Sequence, residues 1–162
     1  MAARRTRALF TARWLALLIP AALLGGAYLG QYAYGLYPCE MCWWQRYPHF
    51  AALALALLAF AVKGGAARAC VILAGLAILI SGLIGGFHAG VEYGWWEGIT
   101  SCSSTIQASG GGDFLDAIMK APIVRCDQVQ WSLFGISLAG YNFLISVVGA
   151  AAIFFYASRR PA

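Results

Sequence analysis

Four long stretches without charged residues divide this chain. No Asp, Glu, Lys or Arg occurs in residues 14–39, 47–62, 69–91 and 128–158, which form runs of 26, 16, 23 and 31 residues. A helix that crosses a bilayer needs about 20 predominantly apolar residues. Three runs are long enough, and the second becomes so if its helix starts near Trp44 and holds Arg46 at the interface. The pattern predicts spans at about 14–36, 44–63, 70–92 and 133–157.

The composition excludes a soluble globular protein. Hydrophobic residues make up 62% of the 162 residues and charged residues only 10%, against about 45–50% and 25% in an average soluble domain. A water-facing domain of this length could not bury so much apolar surface. We therefore expect one integral-membrane domain over residues 1–162, an all-α four-helix transmembrane bundle surrounded by the lipid bilayer.

The charged residues predict the orientation of the bundle. Eight of the eleven basic residues fall at the two termini and in the 63–69 turn, whereas all six acidic residues fall at the opposite ends of the spans. Cytoplasmic loops concentrate Lys and Arg. Both termini should therefore be cytoplasmic, with loops at about 37–43 and 93–132 on the outer side. The net charge of +5 reflects this topology and does not indicate a nucleic-acid partner.

Four of the five cysteines lie in the two outer loops. The first loop contains Cys39 and Cys42, and the second contains Cys102 and Cys126. An extracytoplasmic compartment permits disulfides. The fifth, Cys70, lies at the cytoplasmic end of the third span, and we expect it to be a small buried hydrophobic residue.

The first-loop pair forms a C-x-x-C motif, a spacing that permits a redox-active disulfide and a low thiol pKa. If the second span begins near Cys42, the positive end of that helix also favours the Cys42 thiolate. Zinc is the rival use of this spacing. The two histidines near the same face, His49 and His88, do not follow the short intervals of structural zinc motifs, so no metal site is predicted.

The second outer loop has about 40 residues, which is longer than a simple connection between helices. Residues 113–124 predict a short amphipathic helix that lies on the membrane surface and holds Cys126 near the bilayer. Arg125 would favour the Cys126 thiolate, although Asp127 opposes that effect. An incoming thiol is therefore expected to attack Cys102 and to expel Cys126.

Arg46 is the strongest indication of an electron acceptor. A basic group at the membrane edge is costly unless it snorkels, pairs or binds something, and Arg46 lies one helical turn beyond Cys42. A thiolate beside a guanidinium at this depth fits the reduction of a lipid-soluble carbonyl compound, a quinone. The alternative role of Arg46 is that of a topological anchor.

Four segments together closely resemble the bacterial disulfide bond formation protein B (DsbB) family. They are CEMCWWQR at 39–46, FHAGVEYGWWEG at 87–98 with Cys102 close behind, RCD at 125–127 and WSLFGISLAGYN at 131–142. The resemblance extends from the first span to the fourth. It implies a protein of the bacterial inner membrane whose active cysteines are periplasmic.

The resemblance also implies an activity and a set of site residues. A family member reoxidises a soluble periplasmic thiol oxidase of the thioredoxin-like DsbA type and passes two electrons to membrane quinone, either ubiquinone or menaquinone. By this resemblance Cys102 meets the partner and Cys126 is its exchange mate, while Cys39 exchanges with the second loop and Cys42 faces the quinone. Arg46 then corresponds to a quinone-binding arginine. His88 corresponds to a histidine near the quinone, or it pairs with Glu92 at the end of a helix.

Two alternatives stay open at this point. A paralogue of the same family could serve a dedicated partner instead of a general oxidase. A non-catalytic scaffold with four spans could use both cysteine pairs as structural disulfides. The sequence also leaves open whether resting Cys39 pairs with Cys42 or with Cys126.

Overall fold

In the part of the chain that the structure describes, the fold consists of four helices and two short antiparallel strand pairs. A computed structural model describes residues 2–100, 103–104 and 123–159. Within these residues the helices are α1 (Ala2–Ala33), α2 (Glu40–Ala61), α3 (Gly64–Glu92) and α4 (Leu138–Ser158). The strands are β1 (Ser103–Ser104), β2 (Ile123–Val124), β3 (Ser132–Leu133) and β4 (Ile136–Ser137). The prediction of a mostly helical membrane protein is confirmed.

Three of the helices are long and apolar enough to cross a membrane. They are the segments Arg7–Ala33, Gly64–Glu92 and Leu138–Ser158. Helix α2 has 22 residues but buries polar side chains, among them Arg46 and His49, along one face. That α2 also crosses the bilayer, giving four spans in total, remains a prediction.

The helix boundaries differ from the predicted spans in places. Helix α2 starts at Glu40, so Cys42 lies in its first turn and not in the preceding loop. Helix α4 starts at Leu138, because the six residues before it form the β3–β4 hairpin. The last two residues of the predicted surface helix, Ile123 and Val124, form strand β2 instead. The remainder of that predicted helix lies outside the described residues.

The interior of the bundle is built from small side chains. Helix α3 packs mainly against α2 and α4, and α1 packs against the same two helices. The core contains Ala12, Ala52, Ala56, Ala74 and Ala150, together with a few larger residues. Large apolar side chains point outward instead, including Leu18, Leu57, Ile80, Val148 and Phe155. Small residues inside and large apolar residues outside are typical of helices that associate within lipid.

Glycines allow α3 and α4 to approach closely. A Cβ atom at Gly82 would lie 2.8 Å from the Cβ of Ser146, and one at Gly86 would lie 2.8 Å from the Phe143 ring. Gly82 and Gly86 are four residues apart, so both lie on the face of α3 that meets α4. Gly26 of α1, by contrast, has open space at its Cβ position, so it does not serve the same purpose.

A hairpin secures the entrance to α4. Strands β3 and β4 are joined by Phe134 and Gly135, whose φ angles are +50° and +76°, as a two-residue primed turn requires. The Tyr93 hydroxyl donates to the Gly135 carbonyl at 3.0 Å and accepts from the Ser137 amide at 2.8 Å. The end of α3 therefore holds the start of α4 in place.

The first-loop cysteines and Cys70 lie at opposite ends of the bundle. At one end, the Arg13 guanidinium donates to the Val62 carbonyl at 3.2 Å and ties α1 to the end of α2. Cys70 lies in the early turns of α3, 18 residues before His88, which corresponds to about 27 Å along a helix. His88 contacts the first-loop cysteines, as described below.

Candidate functional site

The site begins with Cys39, which caps the N-terminus of α2. Its extended backbone (φ −75°, ψ 177°) places its sulfur to accept a hydrogen bond from the Cys42 amide at 3.3 Å. The Cys39 and Cys42 sulfurs are 2.9 Å apart. Because unpaired amide groups at a helix N-terminus favour negative charge, this position stabilises a thiolate in the first turn.

Cys126 from the second loop lies against the same cysteine pair. Cys39 and Cys126 belong to one buried cluster with Met41, Val91 and Val124. A hydrogen bond with the Cys39 thiol, aided by contacts with Thr100 and backbone groups, lowers the pKa of Cys126 from 9.0 to about 6. The same hydrogen bond raises the pKa of Cys39. Cys126 is therefore a more acidic thiol than Cys39.

This cause differs from the one that the sequence indicated. The favoured Cys126 thiolate was expected from Arg125, but the guanidinium of Arg125 makes a two-point ion pair with the carboxylate of Asp127. The largest contribution comes instead from Cys39, which is distant in sequence. Cys102 lies outside the described residues. Strand β1 starts one residue after it, and the paired strand β2 ends two residues before Cys126.

His88 projects from α3 toward the C-x-x-C motif. Its Nε2 atom lies 3.6 Å from the Cys39 sulfur and 3.9 Å from the Glu92 carboxylate. On the other side of the ring, Nδ1 lies 2.9 Å from the side-chain nitrogen of Gln45. Nε2 of His88 therefore lies close to both Cys39 and Glu92, as the pairing with Glu92 required. A role of His88 next to the quinone stays a prediction.

Arg46 is buried, with 6% of its surface exposed. Its guanidinium donates to the Gln31 side chain at 2.6 Å and to the Ala27 carbonyl at 3.3 Å. The group also lies between two aromatic rings, 4.8 Å from the centre of Tyr28 and 4.9 Å from that of Trp43. Within the part of the chain that the structure describes, no carboxylate pairs with Arg46. Aromatic faces and neutral oxygens thus hold this cation in an apolar setting.

A cavity of about 210 Å³ connects these residues. Its lining includes Cys39, Cys42, Arg46, His49 and His88. An apolar cavity of about 150 Å³ is enough to admit benzene, so this one has room for a substituted six-membered ring. The Gln130 side chain donates to the Tyr37 carbonyl at 2.9 Å beside the cavity and joins the two outer loops.

The cysteine pair and His88 also satisfy a minimal requirement for metal binding. The ligand atoms of Cys39, Cys42 and His88 all lie within 4.8 Å of one another. Thiolate and imidazole are ligands that zinc prefers. The spacing in the sequence did not indicate this arrangement, because His88 comes from a different helix.

Four further polar residues lie beside the site, and the sequence indicated no role for them. Gln45, Ser81, Asn142 and Ser146 are all buried, and they hydrogen-bond to one another across α2, α3 and α4. His49 joins this group through Asn142 at 2.9 Å. Polar residues within apolar spans are costly and often functional. Their occurrence within such spans was therefore the feature of the sequence that could have identified them.

Comparisons with known proteins identify a family for this chain. The family model described as "Disulfide bond formation protein DsbB" matches residues 9–156. A disulfide bond formation protein B from Aromatoleum aromaticum is 32% identical over 96% of this chain and 95% of its own length. Another from Verminephrobacter eiseniae is 33% identical over 80% of this chain and 75% of its own.

An uncharacterised protein from Rickettsia prowazekii, RP370, is also similar, at 27% identity over 76% of this chain and 73% of its own length. No solved structure matches the chain significantly.

Proposed function

The chain belongs to the DsbB family, and from that premise we propose that it oxidises a periplasmic DsbA-like partner and passes the electrons to membrane quinone. The family relationship supports a disulfide-forming membrane oxidoreductase. The observation that carries the finer proposal is a cavity lined by a C-x-x-C pair and a buried arginine, with the second-loop cysteine Cys126 packed against Cys39 beside it.

The first step is exchange with the partner at the second loop. A partner thiolate attacks Cys102 of a Cys102–Cys126 disulfide, and Cys126 leaves as a thiolate. The second partner thiol then resolves the mixed disulfide, which leaves the partner oxidised and both loop cysteines reduced. A leaving thiol of low pKa accelerates exchange, and the lowered pKa of Cys126 supports its role as leaving group. The β1–β2 pairing supports the same step, since it joins the segments next to the two cysteines.

The second step moves the disulfide between the two loops. The Cys126 thiolate attacks Cys39 of a Cys39–Cys42 disulfide, and Cys42 leaves. Cys102 then attacks Cys126, which restores the Cys102–Cys126 disulfide and releases Cys39. The contact between Cys39 and Cys126 supports this route.

The third step returns the C-x-x-C pair to its disulfide form. Two thiols, Cys39 and Cys42, lose two electrons and two protons to one quinone molecule, which becomes quinol. Arg46 would donate to a quinone oxygen, and the α2 N-terminus would stabilise the Cys42 thiolate. In this proposal quinone is a substrate that enters from the bilayer, with ubiquinone and menaquinone as the two candidates.

The proposed location follows from the same reasoning. The protein would span the bacterial inner membrane four times, with both termini cytoplasmic and the reactive cysteines periplasmic. A periplasmic position gives Cys102 access to a soluble partner, while Cys42 and Arg46 remain at the membrane edge.

The test is quinone reduction by purified protein in detergent, supplied with a reduced DsbA-like partner. We expect one quinone molecule to be reduced for each partner molecule that is oxidised. The Cys42→Ser variant should be inactive, whereas Cys70→Ser should retain full activity, because Cys70 lies at the far end of α3. If the wild-type protein leaves its disulfides unchanged in the presence of reduced partner, the proposal is wrong and a structural scaffold is the better account.

A further inference from the structure

A network of buried polar side chains lies directly beneath the cysteines. Gln45 and His49 from α2 meet Ser81 from α3 and two residues from α4, Asn142 and Ser146. Each of these residues has less than one-tenth of its surface exposed. The network adjoins the cavity through Gln45, His49 and Asn142.

Backbone carbonyls determine how the two amides of the network are oriented. The Gln45 side chain donates to the Met41 carbonyl at 3.1 Å, and the Asn142 side chain donates to the Ser81 carbonyl at 3.1 Å. A carbonyl can only accept, so the NH₂ group of each amide must face it. The Gln45 oxygen consequently accepts from the Asn142 nitrogen at 2.8 Å.

The amides in turn determine the tautomers of both histidines. The Asn142 oxygen accepts from the Ser146 hydroxyl at 3.0 Å and lies 2.9 Å from Nε2 of His49. Because that oxygen has no hydrogen, His49 Nε2 must be the donor. The Gln45 nitrogen donates to Nδ1 of His88 at 2.9 Å, so the hydrogen of neutral His88 is on Nε2, the atom near Cys39.

This assignment leaves one nitrogen of His49 without a partner. In the neutral ring, Nδ1 of His49 carries a lone pair and is a hydrogen-bond acceptor. It is buried and has no hydrogen-bond partner within the described part of the chain. The His49 ring lines the cavity together with Arg46. A buried acceptor without a partner is costly, and a hydroxyl of a ligand bound in the cavity would supply the missing donor.

We propose that His49 Nδ1 accepts a hydrogen bond from a hydroxyl of the reduced ring and so makes the cavity selective for quinol over quinone. This inference rests on the proposed function. A quinone offers only carbonyl oxygens, which cannot donate to a lone pair, whereas a quinol offers two hydroxyls. The hydrogens of these hydroxyls match the two protons that Cys39 and Cys42 lose when their disulfide forms.

The position of His49 on α2 fits the far side of such a ring. Cys42, Arg46 and His49 are spaced four and three residues apart and therefore share one face of the helix. Arg46 and His49 are separated by about 4.5 Å along the helix axis. The two oxygens of a para-quinone are about 5 Å apart from standard bond lengths. Arg46 can thus donate to one oxygen in either redox state, while His49 recognises only the hydroxyl form of the other.

Selectivity for the reduced ring has a direct chemical consequence. A site that binds quinol more tightly than quinone raises the reduction potential of the bound ring, so the ring becomes a better oxidant for the C-x-x-C pair. The same selectivity strengthens product inhibition. His49 would then contribute to the driving force of quinone reduction without touching the reacting sulfurs.

The experiment compares quinol inhibition with quinone affinity in the His49→Leu variant. Loss of one hydrogen bond should weaken competitive inhibition by quinol about three- to tenfold. The KM for quinone should stay the same or fall, because a lone pair facing a carbonyl oxygen is removed. Ser146→Ala is the matched control, since it removes the other hydrogen bond to the Asn142 oxygen but keeps the His49 acceptor. It should leave the ratio of quinol inhibition constant to quinone KM unchanged.

The outcomes separate this inference from the proposed function. If the wild-type protein reduces quinone but His49→Leu shifts quinol inhibition and quinone KM by the same factor, the role of His49 is wrong and the proposed function stands. An unchanged quinol inhibition constant leads to the same conclusion. If the wild-type protein reduces no quinone, both proposals fail. His49→Met replaces the leucine variant if the latter is not recovered from the membrane, and thermal unfolding in detergent verifies that each variant is folded.

Discussion

Arg46→Ala is the most informative single perturbation of the proposed quinone site. Two hydrogen bonds, to Gln31 and to the Ala27 carbonyl, occupy two of the hydrogens of this guanidinium. An arginine has five N–H donors, so three remain available. The group also lines the cavity next to Cys42. We therefore expect Arg46 to donate to a quinone oxygen, and alanine to remove that bond.

The size of the effect follows from the strength of the lost bond. A hydrogen bond from a charged donor contributes about 1.5–3 kcal/mol, which corresponds to an apparent quinone affinity about ten- to hundredfold weaker. Alanine also leaves the Gln31 oxygen and the Ala27 carbonyl without this donor. The cation itself is buried without a carboxylate partner in the described residues, so its removal also relieves a desolvation cost. Folding should therefore change less than quinone affinity does.

The assay has two parts, which isolate the two half-reactions. Steady-state quinone reduction as a function of quinone concentration reports the apparent affinity. Single-turnover oxidation of the partner without quinone reports exchange at the second loop, and this rate should not change. Arg46→Lys should be partly active, because lysine keeps the charge but loses the planar donor group that stacks between Tyr28 and Trp43.

An Arg46→Ala variant with unchanged quinone affinity would refute this reasoning. Arg46 would then be a topological anchor held by Gln31 and two aromatic rings. A loss of partner oxidation in the single-turnover experiment would refute it differently, because it would show that Arg46 supports the structure of the whole site.

Three further predictions concern the cysteines and the topology. In intact cells, a membrane-impermeant thiol reagent should label an exposed cysteine introduced by Glu97→Cys but not one introduced by Lys63→Cys; the reverse pattern would overturn the orientation. Cys126→Ser should accumulate a mixed disulfide between the partner and Cys102, and an adduct through Cys39 would reverse the roles of the two loops. The low pKa of Cys126 stabilises the reduced fold fully above pH 9, and this contribution is lost as the pH falls through about 6. The difference in ultraviolet thiolate absorbance between the reduced wild type and Cys126→Ser should titrate with a midpoint near pH 6. A midpoint near pH 9 would show that the hydrogen bond with Cys39 does not lower the pKa of Cys126.

The sequence by itself determined the class of the protein and most of its helices. Long uncharged runs and a low content of charged residues require lipid as the main solvent, because these properties are local and additive along the chain. The C-x-x-C motif and its position near the start of the second helix were equally visible. The predicted start of the last helix was less accurate, because Phe134 and Gly135 form a turn that is defined by its pairing with β4 and by the Tyr93 hydroxyl.

Only the tertiary structure decided which residues meet. Cys126 acquires its acidity from Cys39 and not from its neighbour Arg125, since the hydrogen bond that matters joins residues 87 positions apart. His88 reaches the C-x-x-C pair from another helix, and Asn142 from a third orients His49. Hydrogen bonds depend on distances of a few ångströms between side chains, and the packing of α2, α3 and α4 sets those distances. No pattern along the chain encodes them.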